Sequence, residues 1–232
     1  MRKLVLWGHH WDEYREMFDL SASSLNNSFL EYGCGPSAVN KELHDTTKIM
    51  SCDPLFVLDK GTLSTKTALI FHDMAAHIFR DKDKFDFSHD GSFEDLIASR
   101  QQGMLEFFSD YDQGKKEKRY LPVTDYALPF KDFEFDMALS SHYLFADLDD
   151  QDIDFHLKVI QELARVAKEV RIFPLIDRHG QPSPFLGPVL LGLQQANFGV
   201  EVREVSYHLQ PKGNAMLRVW AQLCPLDSHD SF

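Results

Sequence analysis

At 232 residues, the chain is long enough for one sizeable α/β domain and leaves little length for a second. The 24 lysine and arginine residues are outnumbered by 36 aspartate and glutamate residues, and the resulting formal charge of −12 repels nucleic-acid phosphates and anionic lipid. We therefore expect neither nucleic acid nor a membrane as a partner. The chain has three cysteines without CxxC spacing and no apolar run long enough for a signal-peptide core. We therefore predict a cytoplasmic protein.

The first quarter of the chain predicts a helix followed by a strand–helix–strand unit. Apolar residues at helical spacing predict an N-terminal helical segment over 9–20, and an apolar run predicts a first strand over 28–32. A helix from 36 to about 44 and a second strand over 48–53 follow. This order predicts two parallel strands joined by a right-handed crossover.

The stretch 56–118 is longer than a single crossover requires. It contains two apolar helical faces, and Ser92 is the predicted N-cap of the second, with Asp95 three residues later. We expect one helix to cover the sheet. The other would form a helical insertion or cap over a cleft, within 56–118.

The second half of the chain predicts the remaining sheet and its covering helices. Strands are predicted at 120–124, 135–140 and 170–175, and helices at 150–168 and 186–197. The segments 200–207 and 215–223 alternate in polarity around a Pro-Lys-Gly-Asn turn, which predicts a closing antiparallel hairpin. We interpret residues 1–232 as one α/β domain without internal repeats.

A glycine loop between two acids is the most informative motif. Gly33 and Gly35 follow an apolar run that contains Glu31, and Asp53 ends the next apolar run. Glycines allow a ligand to approach the backbone closely, and an acid at the end of the second strand suits ribose hydroxyls. The loop also satisfies GxGxxA, the nicotinamide-dinucleotide fingerprint. Glu31 would repel a pyrophosphate, and Pro36 lacks an amide donor for it, so this alternative is disfavoured.

Three sequence blocks together resemble the class I S-adenosylmethionine-dependent methyltransferases. Residues 30–35 (Leu-Glu-Tyr-Gly-Cys-Gly) are similar to the family's glycine motif, Asp53 to its ribose-binding acid, and 128–136 to its LPF…FD block. The resemblance implies a three-layer Rossmann-like methyltransferase fold with a mostly parallel seven-stranded sheet and a C-terminal antiparallel hairpin. It also implies S-adenosylmethionine as the cofactor.

The resemblance assigns cofactor contacts residue by residue. Glu31 would lie near the methionine amino group, Gly33 and Gly35 would pass beneath the cofactor, and Asp53 would accept hydrogen bonds from the ribose hydroxyls. Two further residues, Pro54 and Leu55, would flank the adenine.

One position departs from the family pattern. An adenine-contacting aspartate is often found four residues before the Leu of the LPF block, where this chain has Thr124, and Asp125 comes one residue late. Asp125 is therefore either an adenine ligand or a turn-forming residue.

The end of the predicted fourth strand suggests the acceptor side of the site. The resemblance implies that the Ser140 backbone and the His142 side chain line the cleft between cofactor and acceptor. His142 is a candidate general base, or alternatively a histidine hydrogen-bonded at a strand end. His9 and His10 look like a metal pair, but adjacent side chains point apart and no ligand partner stands at a suitable spacing, so no metal site is expected.

These observations favour a methyltransferase that acts on a small-molecule acceptor. Two alternatives remain: a catalytically silent S-adenosylmethionine-binding protein and, less favoured, an NAD(P)-dependent oxidoreductase.

Overall fold

A computed structural model of the chain describes residues 7–123, 126–145, 151–177 and 179–222. The helices are α1 (Trp11–Met17), α2 (Val39–Leu43), α3 (Lys60–Arg80), α4 (Phe93–Lys116), α5 (Ile153–Val166) and α6 (Leu186–Gln195). The strands are β1 (Phe29–Tyr32), β2 (Ile49–Asp53), β3 (Tyr120–Pro122), β4 (Phe135–Ser141), β5 (Ala167–Phe173), β6 (Phe198–Glu204) and β7 (Ala215–Ala221). None of the helices in these described segments is long and apolar enough to cross a membrane.

The strands form one seven-stranded sheet in the order β3-β2-β1-β4-β5-β7-β6. Neighbouring strands from β3 to β5 are parallel, whereas β7 runs antiparallel to both β5 and β6. The predicted fold class is therefore confirmed, including the closing hairpin. Because parallel strands end at the same edge, the residues that follow β1, β2 and β4 lie close together, as ligand sites of such sheets do.

Helices cover both faces of the sheet. Side chains along each strand point alternately to the two faces and so enter two separate cores. On one face, α5 and α6 pack against β1, β4 and β5 through residues such as Ile160, Leu193 and Ala138. On the other face, α1 and α2 pack through Met17 and Val39. The amphipathic stripes of these helices are buried, and this burial gives the three layers.

Helix α4 packs against both the sheet and α3, and the predicted cap over a cleft stays a prediction. Its C-terminal half packs against the β2–β3 edge, where Phe107 and Tyr111 join a buried aromatic cluster with Tyr120. Its N-terminal half packs against α3 and Trp7, away from the sheet. A helix of 24 residues is long enough to do both.

Two element boundaries that differ from the sequence predictions lie at opposite edges of the sheet, one at the start of β5 and one at the start of α2. Strand β5 begins at Ala167, inside the predicted helix 150–168, because the Ala167 backbone pairs with Phe135 and its side chain is fully buried. Helix α2 begins only at Val39, three residues after Pro36. The residues between them remain in an irregular turn, where the Ser37 amide donates to the Gly35 carbonyl and the Ala38 amide to the carbonyl of the distant His9.

Candidate cofactor and acceptor site

The glycine loop leaves β1 in a conformation that requires glycine. Gly33 and Gly35 have φ angles of 68° and 56°, in the left-handed region. A Cβ on Gly33 would lie 2.1 Å from Cγ of Tyr143, and one on Gly35 would lie 2.3 Å from Nε1 of Trp7. Both the backbone conformation and the contacts with these aromatic rings therefore exclude a side chain at either position.

Asp53 at the end of β2 is bound to the same loop. Its Oδ2 accepts a hydrogen bond from the Gly35 amide at 2.7 Å, and its Oδ1 accepts one from the Leu55 amide at 2.7 Å. The residue is only 3% exposed. Each carboxylate oxygen has more than one lone pair, so these bonds are compatible with further acceptance from hydroxyl groups. The assignment of Asp53 to the ribose stays a prediction.

Glu31 lies beneath the loop and is fully buried. Its Oε1 accepts a hydrogen bond from the Ser37 hydroxyl at 3.1 Å, and its Oε2 accepts one from the Ser51 hydroxyl at 2.5 Å. Burial raises the pKa of Glu31 to about 7, although the hydroxyl donors oppose the shift. Near neutral pH the group can therefore change charge, and its contact with a methionine amino group stays a prediction.

A chain of buried hydrogen bonds holds Glu31 against the neighbouring elements. The Ser51 hydroxyl that donates to Glu31 accepts a hydrogen bond from Nδ2 of Asn40 on α2, at 2.8 Å. Oδ1 of Asn40 accepts from Arg119 at 2.7 Å, and Arg119 forms a bidentate pair with Asp110 on α4. Polar groups buried in this way fix the positions of α2, α4 and β2 around the loop.

The remaining predicted cofactor residues lie in different surroundings. Pro54 is exposed and Leu55 is half-buried, both in the 3₁₀ turn Pro54–Val57 that Asp53 caps. Ser140 is fully buried in β4, and its hydroxyl has no hydrogen-bond partner among the described residues. Asp125 lies outside the described residues. The structure therefore brings Ser140, Asp53 and the glycine loop to one edge of the sheet.

His142 follows β4 directly and adopts a left-handed conformation, with φ 55°. Its backbone amide donates to the Phe173 carbonyl at 2.7 Å, and its Nδ1 lies 2.7 Å from the Ser141 hydroxyl. Its ring stacks on His9, with the centroids 4.8 Å apart and the planes 18° from parallel. His142 is thus hydrogen-bonded at a strand end, and it also faces a second histidine that the sequence did not connect with it.

His9 belongs to a buried polar cluster that sequence reasoning missed. It is 1% exposed, and neither ring nitrogen has a hydrogen-bond partner within the described chain. Its Nδ1 lies 3.7 Å from Oε2 of Glu13. Glu13 forms an ion pair with the fully buried Arg100, which also donates to the Tyr207 hydroxyl at 2.8 Å.

Segment 7–10 places His9 beside the glycine loop. The Gly8 amide donates to the Pro36 carbonyl at 3.1 Å, and the His9 carbonyl accepts from the Ala38 amide at 2.9 Å. On the other side, a Cβ on Gly103 of α4 would lie 2.2 Å from the Gly8 carbonyl oxygen. The segment is therefore held between the loop and α4.

The electrostatics of the cluster keep both histidines neutral at pH 7. Burial, reinforced by the Arg100 charge, lowers the pKa of His9 to about 4. Burial also lowers the pKa of His142, with His9 and Arg100 adding to the effect. Burial opposes ionisation of Glu13, but the Arg100 charge outweighs it and holds the pKa of that carboxyl well below its usual range. The cluster therefore contains one ion pair and two neutral imidazoles.

His10 points away from this cluster, as expected for the neighbour of His9. Its ligand atoms and those of Glu42 and Glu106 lie within 4.8 Å of one another. However, Nδ1 of His10 already lies 2.6 Å from Glu42, and Nε2 lies 3.2 Å from the Ser99 carbonyl oxygen. We assign this group to packing between α1, α2 and α4 rather than to metal binding.

Comparisons with known proteins give no matching family model. An uncharacterized protein of Methanocaldococcus jannaschii is 27% identical over 222 residues, which cover 94% of this chain and 96% of that protein. A SAM-dependent methyltransferase from Aquifex aeolicus is 18% identical, with a TM-score of 0.42 over 90% of this chain and 92% of that one. Magnesium protoporphyrin IX methyltransferase from Synechocystis PCC 6803 is 12% identical, with a TM-score of 0.45 over 91% and 81% of the two chains.

The strand order and the glycine loop together define the architecture. The sheet has five neighbouring parallel strands and ends in an antiparallel hairpin formed by β6 and β7. Helices cover both of its faces. The chain has the Rossmann-like methyltransferase fold.

Proposed function

We propose that the protein is an S-adenosylmethionine-dependent methyltransferase that acts on a small-molecule acceptor. The observation that carries this proposal is the Asp53–Gly35 hydrogen bond at the carboxyl edge of the sheet. It joins the glycine loop after β1 to the acid at the end of β2, the position from which an acid binds ribose hydroxyls in nucleotide-binding sheets. Ser140 and His142 follow on the adjacent strand, where the acceptor would meet the donor.

The residues at this edge fit the cofactor in kind. The left-handed glycines shape the loop, Asp53 supplies a carboxylate for the ribose, and Glu31 supplies one for the amino group. When bound, the cofactor supplies a sulfonium methyl group that is already activated for in-line displacement. The chain must then mainly align donor and acceptor, and such positioning contributes roughly 7–11 kcal/mol in favourable cases.

Backbone hydrogen bonds after the loop argue against a dinucleotide. The pyrophosphate of a dinucleotide binds free amides at a helix N-terminus. Here the Ser37 amide donates to the Gly35 carbonyl, the Ala38 amide to the His9 carbonyl, and the Val39 amide to the Ser37 hydroxyl. Pro36 has no amide hydrogen. The turn thus offers few of the donors that a pyrophosphate needs.

Two experiments test the proposal. Isothermal titration calorimetry with S-adenosylmethionine, S-adenosylhomocysteine and NADH should show binding of the first two and none of NADH. Tight NADH binding without S-adenosylmethionine binding would end the proposal. Transfer of tritiated methyl from the cofactor to a panel of phenols, amines and thiols then separates an enzyme from a silent binding protein, which would bind the cofactor without any turnover.

A further inference from the structure

We propose that His9 and His142 form the acceptor-binding centre, and that they hold an uncharged acceptor through its hydroxyl group. This inference rests on the proposed methyltransferase function and names the substrate class of that site. It is carried by the position of the histidine pair, by its unused hydrogen-bonding groups, by its charge, and by the backbone of His142.

The position of the pair is set from both sides of the cofactor loop. His142 directly follows β4, which is paired with β1, the strand that leads into Gly33. His9 is fixed to the far end of the same loop through the Ala38 amide. The pair therefore lies at the carboxyl edge of the sheet, beside the loop and not behind it.

His9 carries the unpartnered hydrogen-bonding groups of the pair, because Nδ1 of His142 is already bonded to the Ser141 hydroxyl. Both nitrogens of His9 are buried without hydrogen-bond partners, although buried polar groups normally have them. The buried Ser140 hydroxyl on β4 is in the same situation. Stacking leaves the edges of the two imidazole rings, where the nitrogens lie, outside the ring–ring contact. An acceptor hydroxyl would donate a hydrogen bond to the unprotonated ring nitrogen of His9.

The charges around the pair select an uncharged ligand. Arg100 is compensated by Glu13, so the cluster holds no unpaired cation to attract an anion. A neutral imidazole presents a lone pair to a hydroxyl, and the surroundings disfavour a second proton on either ring. An ammonium group would meet the same penalty.

The backbone of His142 is a further sign of function. The left-handed region is strained for a non-glycine residue, and residues held in it are enriched at functional sites. In this conformation the His142 ring stacks on His9 while the His142 amide donates a hydrogen bond to the Phe173 carbonyl.

The chemistry balances with these groups alone. The acceptor oxygen forms a bond to the methyl carbon as the carbon–sulfur bond breaks, and both electrons of that bond leave on sulfur. The hydroxyl proton passes to a neutral imidazole nitrogen and then to water. A weakly basic imidazole suffices, because a protonated ether is a far stronger acid than imidazolium.

The test uses three one-ring probes that differ in charge. Phenol, benzylammonium and benzoate are titrated into the full chain at pH 7.5, with S-adenosylhomocysteine present, while the side-chain nitrogens of ¹⁵N-labelled histidines are followed by NMR. We expect phenol to shift the His9 and His142 resonances and to bind at least tenfold more tightly than either charged probe. His9→Phe and His142→Phe, which keep an aromatic ring, should each weaken phenol binding at least tenfold. The same change at the exposed His179 should leave it unaltered.

Several results would overturn the inference. They are the absence of phenol binding to the wild-type chain, tighter binding of benzylammonium, or equal phenol affinity in the wild type and both variants. S-adenosylhomocysteine affinity is measured in the same samples. If that affinity is intact and phenol binding fails, only the acceptor centre is wrong; if phenol binds at His9 and S-adenosylhomocysteine does not bind, the proposed function fails instead. If a variant does not fold, the affinities of the three probes for the wild-type chain still test the inference.

Discussion

The Asp53 carboxylate accepts a 2.7 Å hydrogen bond from the Gly35 amide, which joins the end of β2 to the glycine loop after β1. Asp53→Ala removes this bond and the one to Leu55. Hydrogen bonds to charged groups contribute about 1.5–3 kcal/mol, so we expect S-adenosylmethionine affinity to fall roughly 10- to 150-fold. Calorimetric titration of the cofactor checks this.

The control for Asp53 is Asp59→Ala. Asp59 is an exposed N-cap of α3 that accepts hydrogen bonds from Thr62, and its hydrogen bonds within the described segments do not reach the glycine loop. This substitution should leave cofactor affinity unchanged. If Asp53→Ala folds and binds the cofactor as tightly as the wild type does, Asp53 does not belong to the site.

Gly35→Ala should destabilise the loop strongly. Gly35 has a φ of 56°, and a Cβ there would lie 2.3 Å from Nε1 of Trp7. The left-handed conformation alone costs about 1–2 kcal/mol for alanine, and the collision adds to it. We expect the free energy of unfolding, measured by urea denaturation, to fall by about 2 kcal/mol or more.

Gly187→Ala is the matched substitution at an undemanding position. Gly187 lies in the first turn of α6, and a Cβ there would meet nothing within 4 Å. Alanine has the higher helix propensity, so stability should stay equal or rise by up to about 1 kcal/mol. Equal changes of unfolding free energy in the Gly35 and Gly187 variants would contradict the left-handed, closely packed geometry of Gly35.

The sequence predicted the sheet and the loop because both leave local patterns. The buried parallel strand β4 contains the apolar run 137–139, and the glycine loop with its flanking acids is a compact motif. The β5 boundary failed because Ala167 and Lys168 continue the periodicity of α5, and only pairing with β4 converts them to a strand. Tertiary contacts override local propensity at such places.

The acceptor side could not be predicted because its residues come from distant parts of the chain. His9 and His142 are 133 positions apart, and nothing local to either of them signals the stack. One signal did exist for Arg100. It stands four residues after Leu96 and four before Met104, on the buried stripe of α4, and a charge on such a stripe requires a buried partner.

Glu31→Gln should change how stability depends on pH. Burial raises the pKa of Glu31 from 4.5 to about 7, so the folded state holds this proton more tightly than the unfolded state does. The stabilising contribution is complete below about pH 4.5 and is lost as the pH rises through about 7. Glutamine stays neutral throughout. The variant should therefore gain up to ~3 kcal/mol relative to the wild type across this window. Urea denaturation at a series of pH values measures it, and parallel curves would show that Glu31 does not titrate there.

The ion pair of Glu13 with Arg100 should behave as a unit. Arg100 is fully buried and Glu13 is 5% exposed, so Arg100→Met leaves a buried carboxylate without its counter-ion. Removal of one partner from a buried pair costs about 3–5 kcal/mol. Glu13→Gln in the same chain removes the stranded charge, and the double variant should recover much of that loss. Urea denaturation of the four chains gives the coupling energy as a double-mutant cycle. If the losses of unfolding free energy in the two single variants add up to the loss in the double variant, Glu13 and Arg100 do not stabilise each other. The ion pair would then not explain how α4 is held against segment 7–10.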